Sequence, residues 1–362
     1  MIASPASVRQ EFLSPADVGL REFSPRRYLR SGHLQTVLTT LHRPKVQLPA
    51  PLCAAIPLGH RGGMYAYRND PPANFVGTGA ATRDRPAVVM LHGLGSSHSG
   101  TYMTGVADRL LRRGWTTIRL DMPGAGPSMR ITDLPPSAAS SPYVLTALDW
   151  VASNWGIQRF VLLGFSLGGN IALHLCGRHR DALRERAERP DGMRIERVVA
   201  VAPPIDLAWC CEAMERGIRR LYAAYFVRNL RFAAAKRAEL WERWREVRGG
   251  FSESTIRGFD DAVTAPLSGY NNAAEYYADN SVHRQLNDLV APATLLVDQH
   301  DPIVPYAMFK ENPASGVRII ATRRGGHLGY YERVGRRNFG RWADEAIAEL
   351  VDGSSVESAD GR

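Results

Sequence analysis

The sequence has few cysteines and no apolar stretch long enough to span a membrane. Its four cysteines include the adjacent pair Cys210 and Cys211 but no Cys-x-x-Cys spacing, so neither a disulfide framework nor a zinc site is predicted. No apolar run approaches the ~20 residues that cross a bilayer, and the N-terminus lacks the basic start and apolar core of a secretory signal. We therefore expect a cytoplasmic protein with reduced cysteines and no metal.

Lysine is almost absent, although the chain is basic. Only three of its 45 basic residues are lysines, and the net charge is +9. A basic surface can attract nucleic acid, but no signature of a nucleic-acid-binding fold accompanies these arginines. We therefore expect no nucleic-acid partner. The hydrophobic content of 44% and the charged content of 22% are typical of a globular protein.

Residues 160–176 predict a sharp turn from a buried strand into a helix. The first five residues carry no charge, and the second half of the stretch is apolar enough for a packed helix. Between these parts, residues 164–168 form a Gly-x-Ser-x-Gly motif, in which Gly164 and Gly168 allow a tight turn with Ser166 at its tip. We predict that Ser166 is a nucleophile. The alternative is an ordinary glycine-rich turn with an incidental serine.

Strand and helix signals alternate on both sides of this turn. Alternation of this kind predicts an α/β fold with a mainly parallel sheet and helices on both faces. The predicted strands are 87–91, 116–120, 160–164, 198–202, 293–297 and 317–321, and the predicted helices are 102–113, 142–155 and 170–176.

The pattern also predicts how the chain is divided. The expected parts are an N-terminal arm with edge strands over 1–84, a core over 85–205 and 286–350, a helical cap over 206–285 inserted after the sixth strand, and a flexible tail over 351–362. The apolar pieces 34–41 and 53–58 suit an N-terminal arm that contributes one or two edge strands. Ser31 is expected to cap a helix N-terminus, with His33 partly buried.

Much of the positive charge lies in the predicted cap. Residues 212–248 contain ten basic and five acidic residues, interleaved with six aromatic ones that include Trp241 and Trp244. We favour a cap helix with a solvated charged face and an apolar face on its neighbours. The other interpretation is peripheral contact with an anionic membrane or a lipid substrate.

A serine nucleophile needs a base and an acid that orients the base. On a sheet of this kind the three follow in the order Ser, Asp or Glu, His, each after the end of a strand. Asp301 follows the predicted strand 293–297, and His327, with glycines on both sides, follows 317–321. Asp298 is a competing acid. We prefer Asp301, because the Pro-Ile-Val-Pro that follows it can hold its loop.

Attack on an ester carbonyl creates an oxyanion that needs two backbone N–H donors. The amide of Leu167, directly after the nucleophile, is one predicted donor, and the amide of Leu94, in the loop after strand 87–91, is the other. Gly93 is expected to permit the conformation of that loop. His92 is expected to shape the turn beneath the oxyanion site, with no part in proton transfer.

Several motifs together resemble the YheT-like family, which includes plant embryogenesis-associated hydrolases and animal relatives acting on acyl lipids. The similar stretches are 33–36, 92–97 with Tyr102, 164–170, 259–261, 264–266, 269–270, 276–277, 301–302 and 325–329. The resemblance implies an α/β-hydrolase fold and a serine hydrolase whose triad is Ser166, Asp301 and His327. It also implies activity on short- to medium-chain acyl esters.

Three functional hypotheses follow. The leading one is a cytoplasmic carboxylic ester hydrolase, of carboxylesterase or lipase type, that works through an acyl-enzyme on Ser166 without a cofactor. The second is a phospholipase or acyltransferase with similar chemistry, drawn to anionic lipid by its basic cap. The third is a hydrolase fold retained as a non-catalytic binding module. Cap geometry would set the acyl length and the alcohol, so neither is predicted.

Overall fold

A computed structural model describes residues 12–42, 46–72, 85–189, 192–235, 255–334 and 338–353. The strands are β1 Phe12–Leu13, β2 Leu52–Pro57, β3 Gly63–Asn69, β4 Ala87–Leu91, β5 Thr117–Asp121, β6 Arg159–Phe165, β7 Arg194–Val201, β8 Ala293–Asp298, β9 Val317–Thr322, β10 Tyr331–Val334 and β11 Asn338–Arg341. The α-helices are α1 Gly32–Leu41, α2 Thr101–Arg112, α3 Ser141–Trp155, α4 Leu167–Arg178, α5 Arg180–Ala187, α6 Leu207–Met214, α7 Arg220–Ala235, α8 Ile256–Phe259, α9 Ala265–Leu267, α10 Ala273–Asn280, α11 Ala307–Glu311 and α12 Trp342–Asp352.

Nine strands form one sheet in the order β1-β9-β8-β7-β6-β4-β5-β3-β2. The strands from β1 to β5 in this order pair in parallel, and β3 and β2 pair antiparallel at the other edge. The prediction of a mainly parallel sheet flanked by helices is confirmed. Strands β10 and β11 form a separate antiparallel pair.

The sheet is covered on both faces, as the uninterrupted apolar run of β4 predicts. All five residues of β4 are buried. Val88 and Met90 pack into one hydrophobic cluster, while Val89 and Leu91 pack into the cluster on the other face. Successive side chains of a strand point to opposite faces, so β4 contributes to both layers of the core.

Helix α1 occupies a stretch that composition assigned to an arm with edge strands. Ser31 caps the helix as predicted, because its Oγ accepts a hydrogen bond from the Leu34 N–H at 3.3 Å. The expectation that His33 is partly buried is wrong: its side chain is exposed. The buried face of α1 contains residues 32, 35 and 36, which are separated by the three and four positions of one helix face. His33 directly follows the first of them and therefore lies off this face.

The described part of 206–285 is helical and follows β7, which is the sixth strand if counting starts at β2. Helix α7 buries Ala223, Val227 and Leu230 and exposes Leu221 and Phe232. Trp241 and Trp244 lie outside the described residues, as do 354–362 of the predicted tail. Contact of this segment with a membrane stays a prediction. In the described parts of the chain, no helix has both the length and the hydropathy needed to cross a bilayer.

Candidate active site

Ser166 lies at the turn between β6 and α4, in a backbone conformation that serine rarely adopts. Its φ is 51° and its ψ is −121°, and strained residues of this kind cluster at functional sites. The flanking glycines make the turn possible. A Cβ on Gly164 would lie 2.3 Å from the Gly168 carbonyl oxygen, and a Cβ on Gly168 would lie 2.3 Å from the Leu91 carbonyl oxygen. The close approach of three backbone segments therefore requires glycine at both positions.

The structure brings Ser166, His327 and Asp301 together. His327 Nε2 lies 2.9 Å from Ser166 Oγ, and His327 Nδ1 lies 2.8 Å from Asp301 Oδ2. Asp301 Oδ1 accepts hydrogen bonds from the backbone N–H groups of Ile303 and Val304 at 2.7 and 2.9 Å. Because the Asp301 carboxylate can only accept, Nδ1 carries the imidazole proton and Nε2 is free to accept the serine proton.

Asp298, the competing acid, holds the loop that carries His327, and its hydrogen bonds within the described residues go to backbone amides and to Thr322. Its Oδ2 accepts from the Gly325 N–H at 2.7 Å and from Thr322 Oγ1 at 2.8 Å. Its Oδ1 accepts from the Gly326 N–H at 3.1 Å and from the His300 N–H at 2.9 Å. Burial raises the pKa of Asp298 to about 6 against the opposing effect of these bonds. Reasoning from the sequence missed this structural role.

Helix α1 contributes a second support for the same loop. Thr36 Oγ1 accepts a hydrogen bond from the His327 N–H at 2.9 Å and donates one to the Gly32 carbonyl at 2.8 Å. Gln35 binds the backbone of Tyr331, accepting from its N–H at 2.6 Å and donating to its carbonyl at 2.9 Å. Gln35 and Thr36 are both buried. The His-Leu-Gln-Thr motif at residues 33–36 marked this region in the sequence, but the sequence did not indicate that Gln35 and Thr36 hold the loop that carries His327.

The two predicted oxyanion donors lie beside the nucleophile. Leu167 is the first residue of α4, and Leu94 lies in the loop after β4. A Cβ on Gly93 would lie 3.1 Å from Ser166 Cβ, which shows how closely this loop approaches the turn. Among the hydrogen bonds of the described residues, the Leu94 and Leu167 amides have no acceptor. Both N–H groups are therefore available to a hydrogen-bond acceptor, and their role as oxyanion donors stays a prediction.

His92 and Tyr102 hold the loop that carries Leu94. The Gly93 N–H donates to the Tyr102 hydroxyl at 3.0 Å. His92 Nε2 accepts from the Met122 N–H at 3.2 Å, so its Nδ1 carries the proton and donates to the Gly93 carbonyl at 2.8 Å. Burial lowers the pKa of His92 and favours this neutral form. His92 thus joins this loop to the residue that follows β5, while its role beneath an oxyanion site stays a prediction.

A largely apolar pocket opens beside Ser166. Its apolar lining includes Leu94, Leu167, Leu207, Met214, Phe226 and Ile303. Cys210 and Cys211 also line it, and burial raises the pKa of Cys211 to about 12, so this thiol stays neutral. Asp260, Thr264 and Tyr277 add polar groups to the wall. Within the described ranges, no group of His, Cys, Asp and Glu side chains is arranged to hold a metal ion.

The chain is similar in sequence to hydrolases of one fold family. Residues 86–334 match the family model of the alpha/beta hydrolase fold. The esterase YheT of Escherichia coli is 26% identical over 85% of this chain and 87% of its own length. The predicted resemblance to the YheT-like family is thereby confirmed.

A yeast lipase and a hydrolase of known structure are also similar to this chain. The monoacylglycerol lipase of Saccharomyces cerevisiae is 25% identical over 74% of this chain, which spans 59% of that lipase. The crystal structure of the 2,6-dihydroxy-pseudo-oxynicotine hydrolase matches with a TM-score of 0.52 and 18% identity, over 90% of this chain and 72% of that one. At this identity the match to the solved structure supports the fold alone.

Proposed function

The chain belongs to the alpha/beta hydrolase fold family, and from this membership we propose that it is a serine hydrolase that cleaves carboxylic esters through an acyl-enzyme on Ser166. The observation that carries the proposal is the continuous hydrogen-bond path from Asp301 through His327 to Ser166. An apolar pocket that opens at the serine suits an uncharged acyl ester. Relatives named as an esterase and a lipase support the same substrate class.

In the acylation half-reaction, His327 Nε2 takes the Ser166 proton while Oγ bonds to the ester carbonyl carbon. Asp301 keeps the imidazole oriented and stabilises its protonated form. The carbonyl oxygen becomes an oxyanion and accepts hydrogen bonds from the Leu94 and Leu167 amides. When the tetrahedral intermediate collapses, the C–O bond to the alcohol breaks and His327 returns the proton to that leaving alcohol.

In the deacylation half-reaction, water replaces the alcohol. His327 takes a proton from the water as its oxygen bonds to the acyl carbon, and the same two amides hold the second oxyanion. The bond to Ser166 Oγ then breaks, and His327 returns the proton to Oγ. The carboxylic acid leaves, and every proton taken by the histidine has been given back.

Labelling with a fluorophosphonate probe tests this proposal directly. We expect the probe to bind covalently to Ser166 and to abolish hydrolysis of p-nitrophenyl esters in proportion to the labelled fraction, because both need the same activated hydroxyl. Peptide mass spectrometry would locate the adduct. Among acetate, butyrate, octanoate and palmitate esters, we expect the highest kcat/KM for butyrate or octanoate. A folded protein that neither labels nor hydrolyses any of these esters would favour the non-catalytic binding module.

Thr36→Val is expected to lower kcat/KM for p-nitrophenyl butyrate by about tenfold, because it leaves the buried His327 N–H without its acceptor. Steady-state kinetics on the purified variant would measure the change. Thr36→Ser keeps the hydroxyl and should restore most of the activity. Thr39→Val is the matched control in the same helix, since the Thr39 hydroxyl donates to the Thr36 carbonyl at 2.7 Å and, within the described residues, does not bond to the His327 loop. An equal loss in both valine variants would argue against positioning of His327 by Thr36.

A further inference from the structure

We propose that the pocket beside Ser166 contains a polar subsite, formed by Asp260, Thr264 and Tyr277, that binds a hydroxyl group of the ester substrate. The inference rests on the proposed function and narrows its substrate class to uncharged esters that carry a free hydroxyl. The hydroxyl belongs either to the alcohol, as in a monoacylglycerol, or to the acyl chain.

The subsite is built on an unusual helical turn. Residues Asp260–Thr264 form a π-helix between α8 and α9, and such turns occur frequently at functional sites. Asp260 and Thr264 are four residues apart on this turn, and both line the pocket that also contains Ser166. The neighbouring Asp261 has a different role, because its Oδ1 accepts from the Ala273 N–H at 2.6 Å and holds the start of α10.

Asp260 is 8% exposed, and one oxygen of its carboxyl already accepts a hydrogen bond. Its Oδ2 accepts a hydrogen bond from the Tyr277 hydroxyl at 2.7 Å. Burial raises the pKa of Asp260 to about 6, so the carboxyl is mostly ionised at neutral pH. A buried carboxylate is costly unless hydrogen bonds compensate for the lost water. The second oxygen can accept a hydrogen bond from a substrate hydroxyl.

The Thr264 hydroxyl supports the Asp260 carboxyl from within the pocket wall. Thr264 is 2% exposed, and its Oγ1 is enclosed. Its interaction with Asp260 opposes the rise in the pKa of that carboxyl and so favours the ionised form. Buried polar groups of native proteins nearly always have a partner. A substrate hydroxyl that donates to the second Asp260 oxygen would supply one, while Thr264 and Tyr277 fix the position of the carboxyl.

The charge of the subsite decides which ligands it accepts. A buried carboxylate repels a phosphate group or a free fatty acid, since like charges in a poorly solvated pocket interact strongly. A neutral hydroxyl meets no such repulsion. The remaining wall is largely apolar, so a polar ligand group away from the ester carbonyl finds its partners at this subsite. The subsite therefore favours a hydroxylated ester over a phospholipid.

Paired substrates test the inference and identify the source of the hydroxyl. Glyceryl monobutyrate against propyl butyrate differs in the alcohol, and p-nitrophenyl β-hydroxybutyrate against p-nitrophenyl butyrate differs in the acyl chain. We expect kcat/KM of the unmodified protein to favour the hydroxylated member of one pair by about tenfold or more, because unpaired polar groups reject the analogue that lacks the hydroxyl. Thr264→Val and Asp260→Asn should each reduce that preference by about tenfold.

Matched controls separate the subsite from general damage. Asp261→Asn changes the adjacent carboxyl. Ser268→Ala removes a hydroxyl that has no hydrogen-bond partner among the described residues and does not line the pocket. Both should keep the preference of the unmodified protein. Thermal melting and fluorophosphonate labelling would confirm that each variant is folded with an accessible Ser166.

The outcomes distinguish this inference from the proposed function. If the unmodified protein hydrolyses plain esters but prefers neither hydroxylated substrate, the subsite is wrong and the serine mechanism stands. The same conclusion follows if labelled, folded Thr264→Val and Asp260→Asn proteins keep the full preference, because the preference then arises elsewhere in the pocket. If the protein labels with no probe and hydrolyses no ester, both proposals fail. The paired substrates show whether the unmodified protein prefers a hydroxylated ester, and this test holds even if a variant does not fold.

Discussion

Ser166→Ala is expected to lower kcat/KM for p-nitrophenyl butyrate by about a millionfold, because removal of a triad nucleophile leaves only binding and the oxyanion donors. The substitution should leave the fold intact. The Ser166 side chain does not cap α4, and its Oγ bonds to His327 at 2.9 Å. Steady-state hydrolysis measures the loss, and thermal melting measures the stability.

A trace of contaminating esterase could hide so large a loss, so the control must be purified identically. Ser315→Ala suits this purpose because the Ser315 hydroxyl binds Asn287 Oδ1 at 3.2 Å on the exposed surface. It should hydrolyse and label like the unmodified protein. A folded Ser166→Ala protein that hydrolyses the ester at the unmodified rate, without fluorophosphonate labelling, would refute the acyl-enzyme mechanism.

The core of the candidate site could be predicted from the sequence because a parallel sheet places the ends of its strands at one edge. Ser166 follows β6, Asp301 lies three residues after β8, and Leu94 follows β4. Each of these strands is a short apolar run with a polar or glycine-rich end, a local pattern that needs no knowledge of distant contacts. Chain order was then enough to select His327 after β9.

The supports of that site could not be predicted, because they depend on contacts between distant parts of the chain. The bond between Thr36 and the His327 N–H joins residues 291 positions apart, and no periodicity indicates it. The position of Asp298 at the end of β8 suggested an acid. Only the folded loop shows that its two oxygens face the amides of Gly325 and Gly326. The π-helical turn at Asp260 is likewise set by packing, since ordinary helix signals do not distinguish it.

Asp301→Asn is expected to lower kcat by about ten-thousandfold, whereas Asp298→Asn should lower it by about tenfold to a hundredfold. An amide at position 301 would donate to His327 Nδ1 or hold the wrong tautomer, so the base could not accept the serine proton. The side-chain oxygen of an asparagine at position 298 would still accept hydrogen bonds from some of the loop N–H groups. The substitution would therefore displace the His327 base only slightly. Pre-steady-state and steady-state hydrolysis of p-nitrophenyl butyrate by both variants would give the ranking, and the reverse ranking would exchange the roles of the two acids.

The pH dependence of stability tests the role of Asp298 by a measurement independent of catalysis. The folded pKa of Asp298 is about 6, above its ordinary value of 3.8, so the folded state binds the proton more tightly than the unfolded state. The contribution of this group to stability therefore falls as pH rises from about 4 to 6. Asp298→Asn should remove this part of the dependence, so that its free energy of unfolding falls less, or rises more, over that interval than that of the unmodified protein. Chemical unfolding at a series of pH values would measure the difference, and an unchanged profile would show that the Asp298 carboxyl is not the buried, loop-holding group that the geometry indicates.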